Sequence, residues 1–100
     1  MSLLKVKNNT LEESVKSGVA IIDFYADWCG PCRRVAPIIE EIANEQQSIT
    51  VCKVNVDENS ALASRYGIVS IPTIVILKDG EEVERMVGYR PKEVILEALE

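Results

Sequence analysis

The apolar run Val19–Tyr25 constrains the fold of this chain more than any other segment. It is nearly continuous and rich in β-branched residues, which is typical of a strand covered on both faces. Such a strand needs packing layers above and below its sheet, and helices usually supply them. The run therefore predicts the central strand of an α/β fold.

An amphipathic helix is predicted directly after this strand, over about Cys32–Gln46. Apolar residues recur there at intervals of three and four, which places them on one helical face. They are Val35, Ile38, Ile39, Ile42 and Ala43.

The remaining segments predict an alternation of strands and helices. Thr10 and Glu13 have the spacing of a capping box, and Asp79-Gly80 that of a two-residue hairpin loop. The predicted strands are Leu3–Lys7, Ile49–Val56, Thr73–Leu77 and Val83–Val87, and the further helices are about Thr10–Ser17, Asp57–Tyr66 and one opening at Pro91. The order β-α-β-α-β-α-β-β-α predicts parallel strands wherever a helix intervenes and an antiparallel last pair. We expect a three-layer α/β/α fold with a central mixed sheet.

The length of 100 residues, 47% of them hydrophobic, leaves room for one domain, residues 1–100. A chain of this size buries roughly two-thirds of its unfolded surface, enough for a core without disulfide staples. Its three cysteines are therefore available for chemistry.

Charge and hydropathy exclude several kinds of partner. The formal net charge of -5 has the wrong sign for binding phosphates, so we expect no nucleic-acid partner. The longest apolar run falls far short of the ~20 residues that a membrane span needs, and no targeting signal is visible at the N-terminus. We expect no membrane association and a cytoplasmic location.

Cys29 and Cys32 lie three positions apart where the central strand gives way to the helix. Unpaired backbone N–H groups and the positive end of the helix dipole stabilise a thiolate there, and Arg33 and Arg34 add positive charge. Cys32 should be less exposed because it lies one turn inside the helix. Cys29 therefore suits an attacking thiol and Cys32 a resolving one, while Cys52 stands apart in a strand.

Two other interpretations of this pair are weaker. As a structural disulfide it would close a loop of only four residues, which stabilises by about 2 kcal/mol against ~3 for fifteen residues. As a metal site it would supply half of a common ligand set. The other half is missing, because the chain has no His and Cys52 would be only a third ligand.

The segment from Asp23 to Arg33, which contains Trp28-Cys29-Gly30-Pro31-Cys32, resembles the active-site segment of the thioredoxin family. The resemblance extends over essentially the whole chain. Gly67–Thr73 is similar to the family's loop with a cis-proline at Pro72, and Gly88 to the glycine before its last helix.

The resemblance implies a role for each of these residues. Cys29 is expected to be the nucleophile and Cys32 the resolving thiol, and the two form the redox-active disulfide. Asp23 is expected to accept the Cys32 proton. The supporting residues are Gly30, Pro31, Trp28 and Lys53, and the substrate-binding residues are Trp28, Ile71, Pro72 and Gly88.

Two of these residues have simpler alternatives. Asp23 is either a solvated residue at a strand edge or a buried carboxyl with a raised pKa, and its apolar neighbours favour burial. Lys53 is either a partner near this carboxyl or an exposed strand lysine, and the sequence does not separate the two.

The function implied is that of a monomeric protein-disulfide reductase, an oxidoreductase in electron transport and cell redox homeostasis. It would need no bound cofactor or metal beyond the Cys29–Cys32 disulfide. Its partners would be protein disulfide substrates and thioredoxin reductase, the NADPH-dependent flavoprotein that regenerates it. A binding module with incidental redox chemistry and a net oxidant are the alternatives.

Overall fold

The central strand predicted from the apolar run is present as β2, Val19–Tyr25. A computed structural model describes residues 3–11 and 13–100 of the chain. Its other strands are β1 (Leu3–Lys5), β3 (Thr50–Asn55), β4 (Thr73–Lys78) and β5 (Glu81–Val87). The helices are α1 (Gly30–Glu45), α2 (Ser60–Arg65) and α3 (Lys92–Ala98), with a short 3₁₀ helix over Glu13–Lys16.

The five strands form one mixed sheet in the order β1-β3-β2-β4-β5. β3 lies between β1 and β2 and is parallel to both. β4 is antiparallel to β2, and β5 is antiparallel to β4. The predicted central mixed sheet is therefore confirmed, and β2 has a neighbour on each side.

The prediction that every helix-linked pair of strands is parallel was wrong for β3 and β4. α2 lies between these two strands, yet β4 runs opposite to β2 and therefore also opposite to β3. Six helical residues span about 9 Å, whereas the six residues of β3 span about 20 Å. α2 therefore does not itself return the chain along the strand, and the rest of the connection 56–72 leaves the chain at the end of the sheet where β3 ends, so that β4 begins there.

The first predicted helix was also wrong in its type and start. Only the 3₁₀ helix Glu13–Lys16 forms there, and Thr10 pairs with Lys7 in an isolated antiparallel bridge. The Thr10 hydroxyl donates to the carbonyl oxygen of Asn8, so it does not serve as the predicted helix cap. Glu12, within the same predicted helix, lies outside the described residues.

The hairpin and the helix starts follow the sequence more closely. Asp79 and Gly80 both have positive φ, as a two-residue loop between antiparallel strands requires. Helix α1 begins at Gly30, two residues before the predicted start, with Cys29 as its N-cap. Pro91 is the N-cap of α3 and not its first helical residue.

Two apolar layers cover the sheet and complete the predicted α/β/α architecture. On one face, Ile21 packs in a cluster with Ile39 of α1 and Ile95 of α3. On the other face, Ile22 packs in a cluster with Leu62 of α2 and its neighbours. Since successive strand residues point to opposite faces, Asp23 lies on the face that α1 and α3 cover.

Asn59 joins the end of the first strand region to the start of α2. Its side chain is fully buried, and its Oδ1 accepts a hydrogen bond of 2.9 Å from the backbone N–H of Asn9. Its Nδ2 donates to the carbonyl oxygens of Val6 and Asn55 at 3.3 and 3.1 Å. One side chain thus satisfies three backbone groups, two in the segment after β1 and one at the end of β3.

Replacing Asn59 with Ala should lower the free energy of unfolding by about 2–3 kcal/mol, because buried backbone groups lose their partners. Urea unfolding measures the change. Asn44→Ala, at an exposed position of α1, is the matched control and should change the stability by less than about 0.5 kcal/mol. Equal midpoints for the two variants would contradict this role of Asn59.

Candidate active site

Cys29 lies at the N-terminus of α1, immediately before its first helical residue. Its Sγ accepts a hydrogen bond of 3.2 Å from the backbone N–H of Cys32. Cys29 and Cys32 are joined by a disulfide, with 5.3 Å between their Cα atoms, so the structure describes the oxidised protein. The first turn of the helix thus directs a backbone donor and its positive dipole end at the Cys29 sulfur.

The two cysteines do not differ in exposure as expected. Cys29 is 4% exposed and Cys32 3%, because both pack in a small cluster with Ala26. Tyr25 and Ile71 cover this cluster from its edges. In the oxidised protein, whole-residue exposure therefore gives no basis for assigning the attacking and the resolving thiol.

The loop before β4 brings Ile71 and Pro72 beside the disulfide. The Ile71–Pro72 peptide bond is cis, as the resemblance implied. The Sγ of Cys29 lies 3.8 Å from the carbonyl oxygen of Ile71. The backbone N–H of Gly88 donates to the carbonyl oxygen of Pro72 at 2.8 Å. The loop at Ile71 thus contacts the Cys29 sulfur, and the Gly88 segment is bonded to that loop at the next residue.

Trp28 lies at the surface beside the disulfide, with 67% of the residue exposed. Its indole N–H donates to the Asp57 carboxylate at 2.9 Å, which fixes the ring although it projects into solvent. The sequence reasoning missed Asp57. A signal was available, because Asp57 follows β3 at the same sheet edge where Trp28 follows the parallel strand β2.

Asp23 is buried in the middle of the site's supporting strand. It is 1% exposed, and its Oδ1 has no hydrogen-bond partner among the described residues. Burial raises the pKa of this carboxyl from 3.8 to about 6, and the charge of Lys53 offsets part of that rise. The predicted burial is therefore confirmed, and the group changes charge near neutral pH.

Lys53 pairs in register with Asp23 on the neighbouring parallel strand, so the two side chains share a sheet face. Lys53 is partly buried, and its Nζ lies 4.6 Å from the centroid of the Tyr25 ring. The cation thus contacts an aromatic face and also acts on Asp23 through its charge. It is neither a fully exposed strand lysine nor a hydrogen-bonded partner of the carboxyl.

A cavity of about 220 Å³ opens beside Cys32 on this face of the sheet. Its walls include Cys32, Tyr25 and Lys53, together with Ala26, Asp27, Arg33 and Ala36. Several water molecules fit in such a volume. The cavity therefore gives solvent a route to Cys32 on the side where Lys53 and Asp23 lie.

Gly30 and Pro31 form the first turn of α1 between the two cysteines. Pro31 is favourable there because a first-turn N–H has no partner within the helix. In the described part of the chain, no three His, Cys, Asp or Glu side chains are grouped so that they could hold a metal ion. None of the described helices has the length and apolarity needed to cross a bilayer.

A disulfide at the N-terminus of a helix, on a mixed sheet and beside a cis-proline loop, defines a thiol–disulfide oxidoreductase. The buried carboxyl on the supporting strand fits this class of protein, because the exchange requires a thiol to lose its proton.

Comparisons with known proteins agree with this class. The family model described as Thioredoxin matches residues 2–100. Thioredoxins from Staphylococcus haemolyticus and Staphylococcus aureus are each 42% identical over 101 residues, covering 100% of this chain and 97% of those proteins.

Solved structures give the same result. A mutant thioredoxin from Halobacterium salinarum superposes with a TM-score of 0.89 at 41% identity, covering 98% of this chain and 88% of that one. Fasciola hepatica thioredoxin superposes with a TM-score of 0.79 at 39% identity, covering 85% and 81%. The chain belongs to the thioredoxin family and is a thiol–disulfide oxidoreductase that uses a cysteine pair.

Replacing Asp23 with Ala should stabilise the oxidised protein increasingly as the pH rises. Because the folded-state pKa of about 6 lies above the unfolded value of 3.8, the carboxyl favours folding most below pH 3.8 and loses that contribution as the pH rises through 6. From about pH 4 to about pH 8 the stability difference should shift in favour of the variant by about 2–3 kcal/mol.

Urea unfolding at both pH values measures this shift. Glu40→Gln removes one negative charge from an exposed position of α1 and controls for the change in net charge. A stability difference between Asp23→Ala and the unsubstituted protein that stays constant across this pH range would contradict the raised pKa.

Proposed function

We propose that this chain reduces disulfides of other proteins through a mixed disulfide and acts as their electron carrier. The proposal rests on the position of the Cys29 sulfur. It lies at the N-terminus of α1 and 3.8 Å from the Ile71 carbonyl oxygen, on a loop that a substrate backbone can approach. Cys32 lies on the opposite side, at the cavity beside Lys53.

In the reduced protein, the Cys29 thiolate attacks one sulfur of a substrate disulfide. A bond forms between Cys29 and that sulfur, and the second substrate sulfur leaves as a thiolate. Cys32 then loses its proton and attacks the Cys29 sulfur. The Cys29–Cys32 bond forms, and the first substrate sulfur leaves as a thiolate. Two electrons pass from the protein to the substrate.

Asp23 accepts the Cys32 proton in the second step. A carboxyl with a pKa of about 6 is largely ionised at neutral pH and binds a proton more readily than an exposed aspartate. The cavity beside Cys32 is large enough for water, which would carry the proton away from the thiol on the sheet face where Asp23 lies. Lys53 keeps the ionised form of Asp23 accessible because its charge lowers the carboxyl's pKa.

Trp28, Ile71, Pro72 and Gly88 bind the substrate around Cys29. The N–H and C=O of Ile71 take no part in backbone–backbone hydrogen bonds within the described chain, so they are available to an extended substrate segment. An apolar cavity of about 170 Å³ adjoins this position. Its walls are Trp28, Val56, Ala63, Ile68, Val69, Ser70 and Ile71.

Regeneration would come from thioredoxin reductase, which takes electrons from NADPH. The full-length similarity to bacterial thioredoxins supports this partner, a cytoplasmic location and action as a monomeric single domain. The cysteine pair itself carries the electrons, so the cycle requires no bound cofactor.

Replacing Cys29 with Ser should abolish the reduction of a disulfide peptide, because the attacking sulfur is lost. Replacing Cys32 with Ser should instead trap a stable mixed disulfide between Cys29 and the peptide, since the resolving thiol is absent. Peptide thiol release measures the first result, and intact-protein mass measures the second.

Cys52→Ala is the matched control, because Cys52 is buried in β3 and is not part of the disulfide. It should retain peptide reduction. A mixed disulfide trapped by Cys29→Ser and not by Cys32→Ser would reverse the assigned roles. Full biological activity of the chain without either cysteine would favour a binding module over a reductase.

Asp23→Asn should slow the second step on the order of 10- to 100-fold near neutral pH, because the proton acceptor is removed. Stopped-flow decay of the mixed disulfide measures this step directly. In the unsubstituted protein its rate should rise through about pH 6 as Asp23 ionises, and the Asn variant should lack this rise. An identical pH profile would remove Asp23 from the mechanism.

A further inference from the structure

Arg34, Tyr89 and Arg90 form a cluster that we call the arginine rim. The Arg34 guanidinium lies over the Tyr89 ring, with its Cζ 4.2 Å from the ring centroid. Arg90 donates from Nη1 to the Tyr89 carbonyl oxygen at 3.0 Å. Two cationic groups are thus held at one aromatic residue, which restricts where each can lie.

The arginine rim borders the active site from two directions. Arg34 lies in the second turn of α1, two residues after Cys32. Arg90 Nη1 lies 3.7 Å from the position that a Cβ on Gly88 would occupy. Gly88 in turn donates to the carbonyl oxygen of Pro72, next to the Ile71 carbonyl that approaches Cys29.

Neither guanidinium is neutralised by an acidic side chain. Within residues 3–11 and 13–100, no carboxylate lies within 4.0 Å of Arg34 or Arg90. This contrasts with the whole chain, in which sixteen acidic residues outnumber eleven basic ones. Two positive charges, on the exposed Arg34 and the partly buried Arg90, therefore lie near the site of a chain whose net charge is -5.

Carboxylates also lie near the disulfide, beside Trp28 and Tyr25, where Lys53 is the neighbouring cation. Asp57 holds the indole of Trp28, and its carboxylate is therefore fixed beside that ring. Burial raises the pKa of Tyr25, and the nearby negative charges of Asp27 and Glu58 raise it further. The Trp28 side of the site thus presents a fixed carboxylate, whereas the arginine rim presents two guanidinium groups.

We propose that the arginine rim selects protein disulfides that carry an acidic residue on one particular side of the attacked cysteine. This inference rests on the proposed function, because it concerns the substrates of the same site. A guanidinium presents paired N–H donors that match a carboxylate. A carboxylate beside Trp28 would instead meet the fixed carboxylate of Asp57 and would be repelled.

The test uses symmetric peptide disulfides, in which both sulfurs are equivalent and the attacked one is therefore known. One peptide has Glu two positions before its single Cys, a second has Glu two positions after it, and the reference has Gln at both places. The chemically reduced protein is mixed with each peptide in a single turnover. The second-order rate constant of peptide thiol release is measured by chromatography.

The unsubstituted protein should reduce one of the two Glu peptides about 3- to 10-fold faster than the Gln peptide at low salt. The advantage should fall towards 1 at about 0.5 M salt, because exposed charges are screened. In the double variant Arg34→Gln/Arg90→Gln the ratio should be about 1 at low salt. Arg34→Lys/Arg90→Lys, which keeps both charges, should preserve a ratio above 1.

Arg65→Gln is the matched control, because it removes one positive charge from the last turn of α2, away from the rim. It should leave the ratio of the Glu to the Gln peptide unchanged. Equal rates for all three peptides, or a ratio unaffected by the Arg34→Gln/Arg90→Gln change, would overturn the inference while the proposed function stands. A Gln peptide that is not reduced at all would overturn both.

Discussion

The site depends on the direction of one strand: β4 runs antiparallel to β2 and β3. β2 and β3 are parallel, so the segments that follow them, with Cys29 and Asp57, leave the sheet at the same end of the strands. β4 runs in the opposite direction, so the loop that precedes it, with Pro72, enters the sheet at that end too. If β4 were parallel to β2, this loop would lie at the other end of the strands, about 20 Å away. The contact between Ile71 and the Cys29 sulfur exists because β4 begins at the end of the sheet where β2 ends.

Strand β2, which supports the site, contains a buried carboxyl that lowers the stability of the fold near neutral pH. Ile21 and Phe24 of β2 are fully buried in the two apolar layers, and Asp23 between them is buried as well. An ionised carboxyl at this buried position, where its Oδ1 has no hydrogen-bond partner among the described residues, opposes folding near neutral pH, and burial therefore raises its pKa to about 6. The same environment places the pKa near neutral pH, as the proton transfer that we propose for Asp23 requires.

The sequence predicted what depends on local pattern. Hydrophobic periodicity placed β2 and α1, the Asp79-Gly80 pair placed the hairpin, and the strand-to-helix junction placed Cys29 at a helix N-terminus. It did not predict the direction of β4, because helix and strand patterns do not show at which end of the sheet the connection 56–72 delivers the chain.

Contacts between distant segments were the other part that local pattern could not supply. Trp28 and Asp57 are 29 residues apart, and Arg34 and Tyr89 are 55 apart. Their hydrogen bond and ring contact arise only once the sheet order is fixed. The resemblance to the thioredoxin family supplied Ile71, Pro72 and Gly88 as site residues, because it carries the same tertiary information.

Arg34 is held by an aromatic ring and not by a carboxylate, which lets an acidic protein present a local positive charge. An ion pair would fix the guanidinium but would also cancel much of its charge, as happens to Lys92 between Glu41 and Glu45. The cation–π contact with the Tyr89 ring holds the guanidinium in place without an opposite charge. The N–H groups at the edge of the guanidinium plane can then still donate to a carboxylate. The net charge of -5 then repels acidic surfaces at long range, while the arginine rim attracts a carboxylate only when it is already close to Cys29. Selection of this kind acts on the residues that flank a substrate disulfide and not on the net charge of the substrate.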